Sequence, residues 1–117
     1  MVYFYWIKTT EKGDYPKYLR KKIDSSEIET YFDGDKEKKL SGSKYFGLGS
    51  ISVSQDERLM AYSIDLKGSE YYDIFLKDLS TNKIIEEKIQ NTSGSITWSL
   101  DTKSFYYIPL DKYHRSK

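Results

Sequence analysis

The chain has 117 residues, with 19 Lys and Arg against 18 Asp and Glu and a formal charge of +1. It is therefore one domain or a piece of one, with no global field favouring nucleic acid, an anionic membrane or an acidic substrate. The absence of cysteine excludes disulfides, thiol catalysis and thiolate-ligated zinc. Mean hydropathy is −0.72, and no apolar run approaches the roughly 20 residues that a membrane-spanning helix needs.

Twelve Tyr, five Phe and two Trp stand beside a single Ala, Ala61, which is a strand-forming composition. The amino-terminal run Met1-Val2-Tyr3-Phe4-Tyr5-Trp6 lacks a basic region and a small-residue cleavage site, so a cytoplasmic protein is expected. In chain order, Tyr3–Ile7 reads as a strand, and Tyr15–Lys22 as a second with Pro16 near its start. In that second strand Tyr18 and Arg20 alternate with Leu19 and Lys21, the pattern of a half-solvated strand. Ile28–Phe32 reads as a third strand, and Asp33–Ser43, polar with one Leu, as a loop. Strands are then expected at Gly49–Ser54, Leu59–Asp65, Tyr71–Leu79, Ile84–Ile89, Ser95–Ser99 and Ser104–Leu110. Short polar turns separate them, a spacing typical of antiparallel sandwiches, barrels and propellers.

An internal repeat selects among these. Ile51–Tyr62 aligns without gaps on Ile96–Tyr107, an offset of about 45 residues, the length of one four-stranded propeller blade. Both copies read apolar-x-apolar-Ser-x-Asp-x-basic-x-apolar-x-Tyr. This predicts a hairpin whose Ser and Asp oxygens accept turn N–H groups. The predicted fold class is all-β, an incomplete antiparallel β-propeller: a partial blade over about 2–33, a complete blade over 49–90 and a partial blade over 94–110. Closed propellers take 4–8 blades. The expected object is thus a fragment whose strand edges other polypeptide would cover.

The residues also resemble a known family. Tyr3-Phe4-Tyr5-Trp6 followed by Gly13-Asp14-Tyr15-Pro16-Lys17-Tyr18-Leu19-Arg20 is similar to an early stretch of oligopeptidase B (protease II), in the prolyl oligopeptidase family of serine peptidases. Tyr45–Asp65, Ile74–Leu79, Thr92–Trp98 and Phe105–Arg115 extend the resemblance over nearly the whole chain. The resemblance implies the first part of a propeller that sits over an α/β-hydrolase peptidase domain and restricts access to its Ser-Asp-His triad. It further implies hydrolysis of short peptides after Arg or Lys by the intact enzyme. The partners implied are the remaining blades, the peptidase domain and short peptides. Met1 falls where the family has interior propeller sequence, so a truncated or split gene is the expectation. No G-x-S-x-G occurs in the chain, and none of its residues is assigned a catalytic, cofactor-binding or metal-binding role.

Individual candidates are weighed on that background. His114, the single histidine, is the base that any Ser-His-Asp scheme would need, yet it sits in a polar, basic terminus and reads as an exposed loop residue. Asp33, Asp35 and Glu37 alternate like the opening of an EF-hand. However, Lys38 stands where Gly is needed and Lys44 where a bidentate Glu belongs, so a solvated turn fits better. Lys17, Arg20, Lys21 and Lys22 with Tyr15 and Tyr18 could form a stacking and phosphate-binding face. Asp14 and Asp24 flank them, which favours a solvated strand and no nucleic acid. Asp56 and Asp101 occupy equivalent turns and read as turn chemistry. Trp6 and Trp98 read as core or blade-interface residues, and Asn91-Thr92-Ser93 as an unmodified glycosylation sequon. The alternative to a peptidase propeller is a stand-alone β module that recruits a peptide or protein at its open strand edges.

Overall fold

The computed structural model describes residues 2–9, 13, 15–85, 88–101 and 103–116. The chain divides into two compact units, Met1–Ser43 and Lys44–Lys117.

In the first unit, β1 (Tyr3–Lys8), β2 (Lys17–Lys22) and β3 (Ile28–Asp33) form an antiparallel meander. The register runs from Tyr3↔Lys22 to Lys8↔Lys17. A bulge where β3 pairs with Tyr18 and Leu19 leaves Tyr31 without a cross-strand partner, as an inserted residue does. Tyr31 and Phe32 are consequently both buried, and the Tyr18 ring meets each of them edge-on. The meander also places Tyr5, Arg20 and Glu29 side by side.

The expected loop over Asp33–Ser43 is instead a helix, α1 (Gly34–Ser41). The Asp33 side chain accepts from the Lys36 N–H at 3.2 Å, and Gly42 ends the helix at φ 68, its N–H bonded to the Lys39 carbonyl. Asp35 and Glu37 lie in the first turn and Lys38 and Lys39 in the last, which suits the helix dipole. No apolar stripe announces this helix, since its one large hydrophobe, Leu40, is 70% exposed. The local signals are the caps alone.

In the second unit, β4 (Gly47–Val53), β5 (Leu59–Asp65) and β6 (Tyr72–Asp78) pair antiparallel in order. β5 is the core strand, with Met60 through Asp65 all buried, and Tyr62 stacks on Phe75 of β6. The expected continuous strand Ile84–Ile89 is broken. β7 (Lys83–Ile84) pairs with one end of β6 and β8 (Ile89–Thr92) with the other. Residues 86 and 87 of the expected strand lie outside the described residues.

The repeat is reproduced bond for bond. Val53↔Met60 and Ser52↔Ala61 in the first hairpin match Trp98↔Phe105 and Thr97↔Tyr106 between β9 (Thr97–Trp98) and β10 (Phe105–Tyr106). In the first turn Ser54 Oγ donates to Asp56 Oδ1 at 2.6 Å and accepts from Leu59 N, while Asp56 accepts from Arg58 N. In the second, Ser99 donates to Asp101 at 2.5 Å and accepts from Ser104 N, while Asp101 accepts from Lys103 N. These serine bonds hold the Asp56 and Asp101 carboxyls below the usual carboxylate range. The expected strand Ser104–Leu110 ends early. Beyond Tyr107 the chain runs back beside β8, where Ser93 N donates to the Ile108 carbonyl and Leu110 N to the Asn91 carbonyl, each at 2.9 Å.

Candidate functional site

The second unit has two unlike rims. One carries the two turns closed by Ser54 and Asp56 and by Ser99 and Asp101. The other carries the 66–71 loop between β5 and β6, the 93–96 crossover and the 110–116 turn, and it holds two cavities.

The loop at that rim is organised by Asp65. This carboxylate ends β5 and is only 1% exposed. It accepts from Lys67 N at 2.9 Å, Gly68 N at 3.1 Å and Glu70 N at 2.8 Å, and from the Ser69 hydroxyl at 3.4 Å. Burial disfavours the charge, but these backbone donors outweigh it and its pKa is lowered. Gly68 and Glu70 take the positive φ values, 73 and 62, that wrap the loop around the carboxylate.

A second fastening holds the crossover. Ser63, fully buried, accepts from Ser50 N at 2.8 Å and donates to the Gly94 carbonyl at 2.8 Å. Thr92, also fully buried, donates to the Tyr72 carbonyl and accepts from Gly94 N. A Cβ at Gly49 would lie 2.5 Å from the Ser63 hydroxyl and 2.9 Å from the Tyr72 ring, so only glycine fits. At the other end of this joint, Trp98 Nε1 donates to the Ser52 carbonyl at 2.9 Å, tying β9 to β4.

Between these fastenings, a cavity of about 320 Å³ is lined by residues that include Asp65, Lys67, Asp73, Lys88 and Gln90. Lys88 Nζ is 3.3 Å from Asp73 Oδ2. A second cavity, of about 630 Å³, lies among Tyr71, Asn91, Leu110, Asp111 and Lys112; Tyr71 and Asn91 border both. The walls offer amides, hydroxyls and paired charges, suited to hydrogen-bonding a polar chain.

His114 is brought to this rim but not to a nucleophile. Its Nε2 lies 2.7 Å from the Ser69 carbonyl, while the Ser69 hydroxyl donates to Asp65. A carbonyl only accepts, so this His–Ser contact cannot activate a serine. Asp33 caps α1 and lies 3.8 Å from Lys17, and Asp35 and Glu37 are helical, so the EF-hand-like trio belongs to no loop. No cluster of three potential metal ligands occurs among the described residues.

Burial removes Arg20 from the candidate cationic strand. Arg20 is 3% exposed; its guanidinium lies 3.9 Å over the Tyr3 ring, Nε donates to Glu29 at 2.8 Å and Nη1 to the Tyr5 hydroxyl at 3.4 Å. Lys21 donates to the Lys22 and Ser25 carbonyls. Arg20 is thus an internal ion-pair and cation–π residue, a correction to the half-solvated reading. Trp6 is 37% exposed on β1, and Asn91 is exposed at φ 61. Sequence reasoning missed Asp65, Tyr71 and the Ser63–Thr92 fastening. The one available signal was Asp65 preceding Gly68-Ser69-Glu70, an Asx-turn composition.

The model of the prolyl oligopeptidase N-terminal beta-propeller domain matches residues 2–117. Dipeptidyl aminopeptidase BI of Pseudoxanthomonas mexicana is 28% identical over 93% of this chain and 17% of its own length. Protease 2 of Moraxella lacunata is 24% identical over 97% of this chain and 17% of its own. A solved structure from a study of two prolyl endopeptidases superposes with a TM-score of 0.75 at 18% identity, over 95% of this chain and 16% of that one. The chain therefore spans less than a fifth of the length of these proteins.

Proposed function

The chain belongs to the prolyl oligopeptidase N-terminal β-propeller family, and from that premise we propose that it is a substrate-gating propeller segment of an oligopeptidase B-like serine peptidase in the cytoplasm. In this reading a partial blade at 2–33, a complete blade at 49–90 and a partial blade at 94–110 stack with further blades over a peptidase domain. That domain hydrolyses short peptides after Arg or Lys. The segment contributes no catalytic, cofactor-binding or metal-binding residue; its work is steric, admitting short extended peptides and excluding folded proteins.

The observation that carries the reading is the family match across 2–117 on a chain whose one histidine faces a carbonyl. The rim with the 66–71 loop is the face that meets the peptidase domain and the entering peptide. Its 66–71 loop is preorganised by Asp65 and it holds both cavities, whereas the turns of the opposite rim are closed by the Ser54–Asp56 and Ser99–Asp101 bonds.

A chimera tests this. The segment replaces its counterpart in the dipeptidyl aminopeptidase of P. mexicana, and hydrolysis of a short peptide is compared with that of a folded protein. We expect the chimera to cleave the peptide and spare the protein. A folded chimera that degrades both without discrimination contradicts the gating role.

A further inference from the structure

Independently of that function, the 110–116 turn and the 66–71 loop share a fastening of their own. The turn is stitched internally by Asp111. Its carboxylate accepts from Tyr113 N at 2.8 Å, Arg115 N at 3.0 Å and Arg115 Nε at 3.3 Å, and its own N–H donates to the Arg115 carbonyl at 2.8 Å. It is therefore a preformed unit. Its contacts with the loop converge on two side chains. The Tyr71 hydroxyl donates to the Asp111 carbonyl at 2.6 Å and accepts from His114 N at 3.2 Å. His114 Nε2 donates to the Ser69 carbonyl at 2.7 Å, and its ring lies 3.8 Å from that of Tyr71, centroid to centroid.

Little else holds the turn down. Residues 112–116 are all exposed, so apolar burial adds little. His114 sits at φ 61, a conformation that costs free energy in a non-glycine residue. Leu110, by contrast, is tied to the Asn91 carbonyl at 2.9 Å, and Thr92 bridges Pro109. Ser116 bridges back to Leu110, so the segment is a closed, rigid turn with both ends at Leu110 and one small clasp at its tip, over cavities that meet at Tyr71 and Asn91.

We propose that residues 111–116 are a strap that pivots at Leu110, clasped by Tyr71 and His114, and that it opens as a unit to widen the rim cavities while β4, β5 and β6 stay folded. Segments held by few, solvent-exposed hydrogen bonds open far more readily than core strands.

Hydrogen exchange read by mass spectrometry at graded urea tests this on the unaltered chain. Exchange of the His114 amide, the strap N–H that bonds to the Tyr71 hydroxyl, is expected to be nearly independent of low urea, because strap opening exposes little surface. That of the Met60–Ile64 amides is expected to rise steeply. A common urea slope for both sets overturns the proposal. Tyr71→Phe, which deletes the hydroxyl and keeps the ring, is expected to speed strap exchange roughly tenfold, the scale set by one or two hydrogen bonds, and to leave β5 unchanged. His114→Asn, tolerant of positive φ, is expected to act in the same direction. Unaltered strap exchange in both variants, or an equal rise in β5, also overturns it. If either variant fails to fold, the urea series on the unaltered chain decides alone.

Discussion

Asp65 is the residue on which the rim depends most. A buried carboxylate costs free energy unless donors surround it, and here three backbone N–H groups and a serine hydroxyl do so. Asp65, Asp56, Asp78 and Asp101 all have lowered pKa values. Burial opposes the shift at Asp65 but loses to the backbone donors; serine hydrogen bonds lead at the other three. A carboxyl with a folded pKa below its unfolded value of about 3.9 stabilises the fold above that pH and ceases to do so as pH falls through the folded value. Urea midpoints should therefore be flat from about pH 5 to about pH 9 and fall below about pH 4. At the alkaline end, burial raises the pKa of Tyr31 and Tyr72. The unfolded chain ionises first there, and stability should fall above about pH 10. Asp65→Asn should cost about 2 kcal/mol at pH 7, because the amide satisfies the N–H donors less well, and should shrink the acid limb. An unchanged acid limb would assign that limb to the other carboxyls.

At the scale of elements, the Gly49–Ser63–Gly94 junction decides how the hairpin and the crossover meet. Gly49→Ala places a methyl against the Ser63 hydroxyl and the Tyr72 ring, an overpacking expected to cost about 1–3 kcal/mol. Gly42→Ala meets no neighbour and should cost only about 1 kcal/mol, through its left-handed φ. Comparing the two urea midpoints separates crowding from backbone strain. The same scale shows what the sequence could reveal. The hairpins and their Ser–Asp turns were legible because the same chemistry occurs twice, about 45 residues apart. α1 was not legible, since a polar helix shows no periodicity and only its caps speak. That β7 and β8 pair with different ends of β6 was hidden because spacing does not encode pairing. Arg20 was misread because Glu29 and Tyr3 reach it only through the sheet register. At the rim, His114 was correctly placed as exposed, but its Tyr71 partner, 43 residues away, left no local trace.

At the scale of the whole molecule, the two units bury very different cores. The Met1–Ser43 unit buries Leu19, Tyr31, Phe32 and the paired Arg20, while the Lys44–Lys117 unit buries Phe46, Met60, Ala61, Tyr62, Ile64, Ile74 and Leu79. Large apolar side chains stay exposed on both, Ile28 at 60% on the first and Leu100 at 87% on the second, so the buried cores make the difference. Small cores give marginal stability, so the first unit should unfold at lower urea. Fluorescence of Trp98→Phe, which leaves Trp6 as reporter, should show an earlier transition than that of Trp6→Phe, which leaves Trp98. Coincident transitions would mean that the two units unfold as one.

The proposed role is that of a propeller segment gating chemistry performed elsewhere. The most direct measurement is turnover of a short fluorogenic peptide with Arg or Lys before the scissile bond, using the purified chain and its His114→Asn variant. The account predicts no hydrolysis above buffer from either. Turnover by the unaltered chain that disappears in His114→Asn would contradict it, because the histidine facing the Ser69 carbonyl would then be serving as a base.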